Sequence, residues 1–138
     1  MQNNLTAYQR IKKLGVISKP YGGRTRYESF HPGIDIANKE GTPIPAMSSG
    51  VVTNVISGQP NGANNYGNQV AVRDPQGNTH YYSHVKGAFV QRGQKVHSGQ
   101  PIASMGKTGS AYSPSGGDPT HLDYRVVNAY GKYRNPSP

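Results

Sequence analysis

Between Gly50 and Gly58 the chain reads Val51-Val52-Thr53-Asn54-Val55-Ile56, a β-branched run bracketed by glycines. Such runs fit the pleated surface of a strand. Residues 69–73 and 79–85 form two more apolar stretches, separated by Asp74-Pro75-Gln76-Gly77-Asn78. Turn residues between two such runs predict a β-hairpin. Towards the end of the chain Leu122, Tyr124 and Val126 alternate with His121, Asp123 and Arg125. The period of two predicts a strand with one apolar and one polar face. Segments 59–68 and 110–120 are rich in Gly, Ser, Asn and Pro and read as surface loops. Residues 1–13 are polar, and their Leu5, Tyr8, Ile11 and Lys12 support one short helix at most. There are no internal repeats. The pattern predicts an all-β fold, an antiparallel sheet or sandwich of short strands.

Composition agrees. Hydrophobic residues make up only 33% of the chain, while 18 Gly and 11 Pro supply turns and 10 Tyr outnumber 2 Phe. A length of 138 residues suffices for a single core. The expected organisation is a polar lead-in over residues 1–14 and one domain over 15–138. No cysteine is present, which removes disulfides, thiol nucleophiles and thiolate metal sites and is neutral about compartment.

The net charge of +9 points to polyanionic surroundings, either nucleic acid or an anionic bacterial cell wall. The basic residues are scattered (Lys12, Lys13, Arg24, Arg26, Arg73, Lys86, Arg92, Lys95, Arg125) rather than gathered on one helix. That favours a generally attractive surface over a reader of nucleic-acid grooves. No stretch approaches the length of a membrane span. Residues 1–14 lack the apolar centre of a signal peptide, so export by other means, or membership of a longer chain, is expected.

Candidate chemistry lies in two short motifs and a residue between them. His31 and Asp35 are four apart in His31-Pro32-Gly33-Ile34-Asp35, with Gly33 free to bend the backbone between them. His121 and Asp123, at i and i+2 of the last predicted strand, project from one face. His84 ends the run Tyr81-Tyr82-Ser83-His84. Imidazole and carboxylate suit zinc, and a catalytic zinc takes three protein ligands. A metal-dependent hydrolase is the leading hypothesis. The plainer readings are a surface His beside a turn with Asp35 capping an amide, and an ordinary polar strand face at His121 and Asp123. His80 and His84 also share a face by spacing, where two solvent-facing histidines are the plain reading. His97 has no partner in sequence and reads as a surface or structural residue of a Gly-rich turn.

Across residues 15–128 the chain resembles the M23 zinc metallopeptidases, the lysostaphin- and LytM-like endopeptidases of peptidoglycan. The resemblance starts at Ile17-Ser18-Lys19-Pro20-Tyr21-Gly22-Gly23-Arg24, similar to the family's S-x-F-G-x-R. It runs through His31-Pro32-Gly33-Ile34-Asp35-Ile36-Ala37, Gly41-Thr42-Pro43-Ile44-Pro45-Ala46 and Gly50-Val51-Val52. Tyr66-Gly67-Asn68 and Tyr82-Ser83-His84-Val85 follow, then Gly93-Gln94-Lys95-Val96, Gly99-Gln100-Pro101-Ile102-Ala103 and Gly106-Lys107-Thr108-Gly109. The resemblance implies an antiparallel β core with long loops walling a groove. It also implies one zinc ion per chain, His31 and Asp35 as zinc ligands, and His84 and His121 as catalytic histidines off the metal.

At the third ligand the chain departs, because Asp123 stands where the family's His-x-His has its second histidine. The Oδ of an aspartate reaches about as far from the backbone as the Nδ1 of a histidine, so Asp123 is the expected third ligand. One imidazole and two carboxylates would cancel the charge of the ion, weakening its effect on bound water. No His-Glu-x-x-His helix exists, and Glu28 and Glu40 sit in turn-like stretches, so proton handling falls to His84 and His121. The substrate implied is the peptide part of peptidoglycan, a stem or cross-bridge. The expected setting is extracellular, at the cell wall or on a virion, as a bacterial or phage lytic enzyme or part of a larger tail or lysin protein. The expected partners are the peptidoglycan peptide and the anionic wall, with no specific nucleic acid. The alternative is a degenerate module that keeps the fold and binds cell wall or a partner hydrolase.

Overall fold

The computed structural model of the chain describes residues 5–24, 29–113 and 116–136. The first element is α1 (Ala7–Leu14). Its start is fixed by a capping box: the Thr6 hydroxyl accepts from the Gln9 amide, and the Gln9 side chain accepts from the Thr6 amide. Ile11 is fully buried and Leu14 nearly so. Burying a side chain of that size contributes roughly 2 kcal/mol, so the helix is held by the core and not by propensity.

Among the described residues ten strands follow: β1 (Val16–Lys19), β2 (Ile34–Ala37), β3 (Pro43–Pro45), β4 (Gly50–Ile56), β5 (Asn68–Arg73), β6 (Thr79–Ala88), β7 (Lys95–Val96), β8 (Pro101–Met105), β9 (His121–Val127) and β10 (Tyr133–Arg134). They form one sheet with the order β1-β2-β9-β6-β5-β4-β7, in which β10 joins β9 and the β3–β8 pair joins β6. Every pairing is antiparallel. The all-β antiparallel expectation is borne out. The expected hairpin is β5–β6, and its turn is held by Asp74, whose carboxylate accepts from the amides of Gln76 and Asn78.

One detail of the sheet creates the site. β6 keeps β5 along one edge but changes partner on the other. Thr79–Ser83 pair with β9, and Val85, Gly87 and Ala88 pair with β8. His84 sits at the change with φ of 64°, the one non-glycine residue at positive φ among the described residues. The β5–β6 register shifts at the same place, from Gln69↔Ser83 to Asn68↔Val85, as at a β-bulge. At this change of partner the start of β9 meets the end of β8, with the His121 amide donating to Gly106 O (3.2 Å).

His80 is not a solvent-facing residue. It is 7% exposed and lies between the Asp74 carboxylate (Nε2 to Oδ2, 2.8 Å) and the Tyr124 hydroxyl (2.7 Å from Nδ1). A carboxylate accepts, so Nε2 carries the proton and Nδ1 accepts from Tyr124. Burial, outweighing the pull of Asp74, lowers the pKa of His80.

Candidate active site and metal centre

Asp35 on β2 and Asp123 on β9 are direct cross-strand partners, and Asp123 is in turn paired with Ser83 of β6. His31 precedes β2 in a loop pinned at both backbone groups: its amide donates to Gly23 O (3.0 Å) and its carbonyl accepts from the Gly22 amide (2.7 Å). His31 Nε2 then lies 2.9 Å from Asp35 Oδ1. Ligand atoms of His31, Asp35 and Asp123 all fall within 4.8 Å of one another, and all three residues are buried. Gly33 matters here for a reason other than bending. A Cβ on it would stand 2.6 Å from Arg125 Cγ, 2.7 Å from Tyr124 O and 3.1 Å from Asp123 Oδ1. Glycine at this position lets β9 come close enough to bring Asp123 to the other two.

His84 and His121 stand beside this triad with ring centroids 4.8 Å apart. His84 Nδ1 donates to Thr108 O (2.7 Å) and His121 Nδ1 donates to Pro119 O (2.8 Å). A carbonyl can only accept, so each ring carries a proton on Nδ1 and leaves Nε2 as its other polar atom. His121 Nε2 lies 3.8 Å from Asp35 Oδ2. Burial, followed by the neighbouring His121 and against the Thr108 hydrogen bond, lowers the pKa of His84. The structure thus brings all five singled-out residues, His31, Asp35, Asp123, His84 and His121, into one cluster. His97 is exposed in the turn after β7, and Glu28 lies outside the described residues.

The electrostatics favour a cation. Burial opposes the charge of His31, but the Asp35 hydrogen bond and the charges of Asp35 and Asp123 outweigh it and raise its pKa. Burial likewise opposes the Asp35 carboxylate, while His31, His121 and Lys19 pull its pKa below the ordinary value. The donor set of one imidazole and two carboxylates suits zinc, and it converges tightly enough to share one ion. Binding would displace the proton that the carboxylates favour on His31.

Three contributors were not apparent from sequence. Arg125 grips Asp123 with a fork, Nε to Oδ1 at 2.9 Å and Nη2 to Oδ2 at 2.8 Å. Tyr66 accepts from Arg125 Nη1 through its hydroxyl (3.1 Å) and from the His84 amide through its carbonyl (2.9 Å). Thr108 holds His84 Nδ1 through its carbonyl and receives the Asn68 amide on its hydroxyl (3.0 Å). Arg125 follows Asp123 by two residues on the predicted polar face, a spacing that places both side chains together. It also alters the charge balance expected from the ligands alone. Asp123's negative charge is met by Arg125, so a divalent ion in the triad would sit in a site that stays net positive.

The family model for peptidase family M23 matches residues 29–136. The chain belongs to that family. Among curated relatives of this M23 domain, the DD-carboxypeptidase/endopeptidase Mpg of Neisseria meningitidis serogroup B is 36% identical over 114 residues, covering 80% of the chain and 24% of the relative. The chain spans about a quarter of the length of such relatives. Among solved structures, the catalytic domain of EnpA, a prophage-encoded M23 protein of Enterococcus faecalis, is 30% identical with a TM-score of 0.71, covering 89% of both chains. The catalytic domain of the antimicrobial peptidase lysostaphin from Staphylococcus simulans is 26% identical with a TM-score of 0.67, covering 93% of this chain and 92% of its own.

Proposed function

We propose that this M23 domain is a zinc-dependent endopeptidase that cleaves peptide bonds of bacterial peptidoglycan, in the stem or the cross-bridge. The observation that carries the reading is the convergence of His31, Asp35 and Asp123 beside two histidines whose Nδ1 atoms are tied to backbone carbonyls. Zinc held by the three ligands would supply Lewis-acid polarisation of the scissile carbonyl and of the attacking water. His84, whose pKa burial lowers, would accept a proton at Nε2 from the attacking water. His121 stabilises the oxyanion or protonates the leaving nitrogen, roles that need a proton on Nε2, where Asp35 Oδ2 lies 3.8 Å away.

The net charge of +9 would hold the domain on the anionic wall in which the substrate lies. Among the described residues no helix is long and apolar enough to cross a membrane. A place at the cell wall or on a virion is supported by the Mpg likeness and by the prophage origin of EnpA. The test is whether purified protein carries about one zinc per chain and releases new amino termini from cell walls, with a chelator stopping the release. Zinc-loaded protein that releases none would favour the second reading, a module that binds wall without cutting it. One observation favours that reading: both Asp123 oxygens are already hydrogen-bonded to Arg125.

A further inference from the structure

The Arg125–Asp123 fork bears directly on how a second carboxylate is tolerated in the triad. The Arg125 side chain is 11% exposed and that of Asp123 5%, so this is a buried pair. Every nitrogen of the guanidinium has a place: Nε and Nη2 on Asp123, and Nη1 on the Tyr66 hydroxyl. Its face lies 4.9 Å from the Tyr66 ring centroid and 6.0 Å from that of Tyr133. Stacking and hydrogen bonding together fix the fork against β9. A carboxylate offers about four lone-pair sites, of which the fork takes two. One face of Asp123 therefore remains for another ligand.

We propose that Arg125 is a positioning residue: a built-in counter-ion that lets an aspartate serve at position 123, where a neutral imidazole would otherwise be needed. The inference rests on the zinc reading above and deepens it. Arg125 cancels the charge of Asp123, so the triad presents a single net negative charge, that of Asp35. Two imidazoles and one carboxylate would present the same. The fork also fixes the plane of the carboxylate, as outer partners of metal ligands do. Without Arg125, Asp35 and Asp123 would face each other across the ladder with no guanidinium on Asp123. Without Asp123, Arg125 would be a buried cation lacking its partner.

Reciprocal dependence is what the experiment reads. Wild type, Asp123→His, Arg125→Met and the double variant are unfolded by denaturant in the presence of chelator. Their zinc dissociation constants are then measured by competition with a chromophoric chelator. Each single variant should lower the metal-free midpoint, and the double should recover most of the loss, because neither orphaned charge is left. Asp123→His should weaken zinc by about tenfold or more, since an unpaired guanidinium then repels the ion. Adding Arg125→Met should bring the constant back to within about threefold of wild type. A residue that only filled space would give additive losses in both measurements. Additive midpoints, or a zinc constant of Asp123→His untouched by Arg125→Met, overturn the proposal. Zinc binding absent from all four proteins would overturn the zinc reading and the ligand half of this proposal. The midpoints are read without metal and judge the counter-ion pairing independently.

Discussion

Asp35 and Asp123 stand directly opposite each other on β2 and β9, at 9% and 4% exposure. The chain has only six acidic side chains, so placing two of them face to face in a buried site is a costly choice. Like charges opposite one another on a ladder destabilise it, and burial strengthens the repulsion. Arg125, His31 and Lys19 offset part of this: the fork binds Asp123, His31 Nε2 bonds Asp35, and Lys19 Nζ lies 4.0 Å from Asp35 Oδ2. A divalent cation would relieve the rest.

Zinc should accordingly stabilise the fold. At a free concentration one hundred times Kd the gain is about 2.7 kcal/mol, which for a domain of this size raises Tm by roughly 10 °C. His31→Ala should abolish the shift while leaving a cooperative unfolding transition. A wild-type Tm indifferent to zinc would remove the triad as a metal site.

His84→Ala and His121→Ala should retain both fold and zinc and lose hydrolysis by about a hundredfold or more. Zinc content and release of amino termini from cell walls, measured on the same preparations, check this. Loss of zinc in either variant would mean that a ligand has been mistaken for a proton carrier.

Below about pH 6.5, where the gain from the raised pKa of His31 is already complete, His80 should make the metal-free protein lose stability as pH falls. The folded pKa of His80 is depressed by burial, so above about pH 6.5 neither folded nor unfolded chain holds its proton and nothing is lost. Below that value the unfolded chain takes up a proton that the folded one resists, and stability drains until the folded pKa is passed. A protonated His80 would have to donate to Tyr124, leaving that buried hydroxyl without its acceptor. Asp74 adds a loss of the same sign at lower pH. Burial opposes its charge, but the His80 hydrogen bond lowers its pKa, so its stabilisation is present above about pH 3.9 and lost below. Denaturant midpoints at several pH values should slope more steeply for wild type than for His80→Gln. Parallel slopes would show that His80 does not set the acid limit.

Gly67→Ala should cost more than Gly62→Ala, though both glycines have left-handed backbones, with φ of 69° and 83°. A Cβ on Gly67 would run into the Thr108 backbone, while one on Gly62 meets nothing within 4 Å. Gly62→Ala should lose about 1 kcal/mol from backbone strain alone. Gly67→Ala should lose more than about 2 kcal/mol and also impair hydrolysis, because Tyr66 and Thr108 hold His84. Equal losses at the two positions would mean that the loops yield without disturbing the site.

Sequence periodicity made the strands readable, since alternation at His121–Val127 and the Asp74 turn are local signals. Spacing singled out His31, Asp35, His121 and Asp123, and the family resemblance added His84 to the residues that the structure gathers. The Arg125 fork was less legible. The spacing put Arg125 beside Asp123, but only the approach of β9 to Gly33 and Tyr66 shows that the guanidinium turns back onto the carboxylate. Nothing in Tyr82-Ser83-His84 announces a positive φ either. That conformation arises because β6 must leave β9 for β8, a demand set by strands distant in sequence.

The left-handed backbone of His84 divides two kinds of selection. For a residue with a Cβ this geometry costs roughly 1 kcal/mol or more, whereas glycine adopts it freely and asparagine more readily than most. Selection for heat resistance alone would weigh relief of this backbone cost by Gly or Asn at position 84 against loss of the buried ring and its hydrogen bond to Thr108 O. Selection for the proposed hydrolysis would weigh nothing against the histidine.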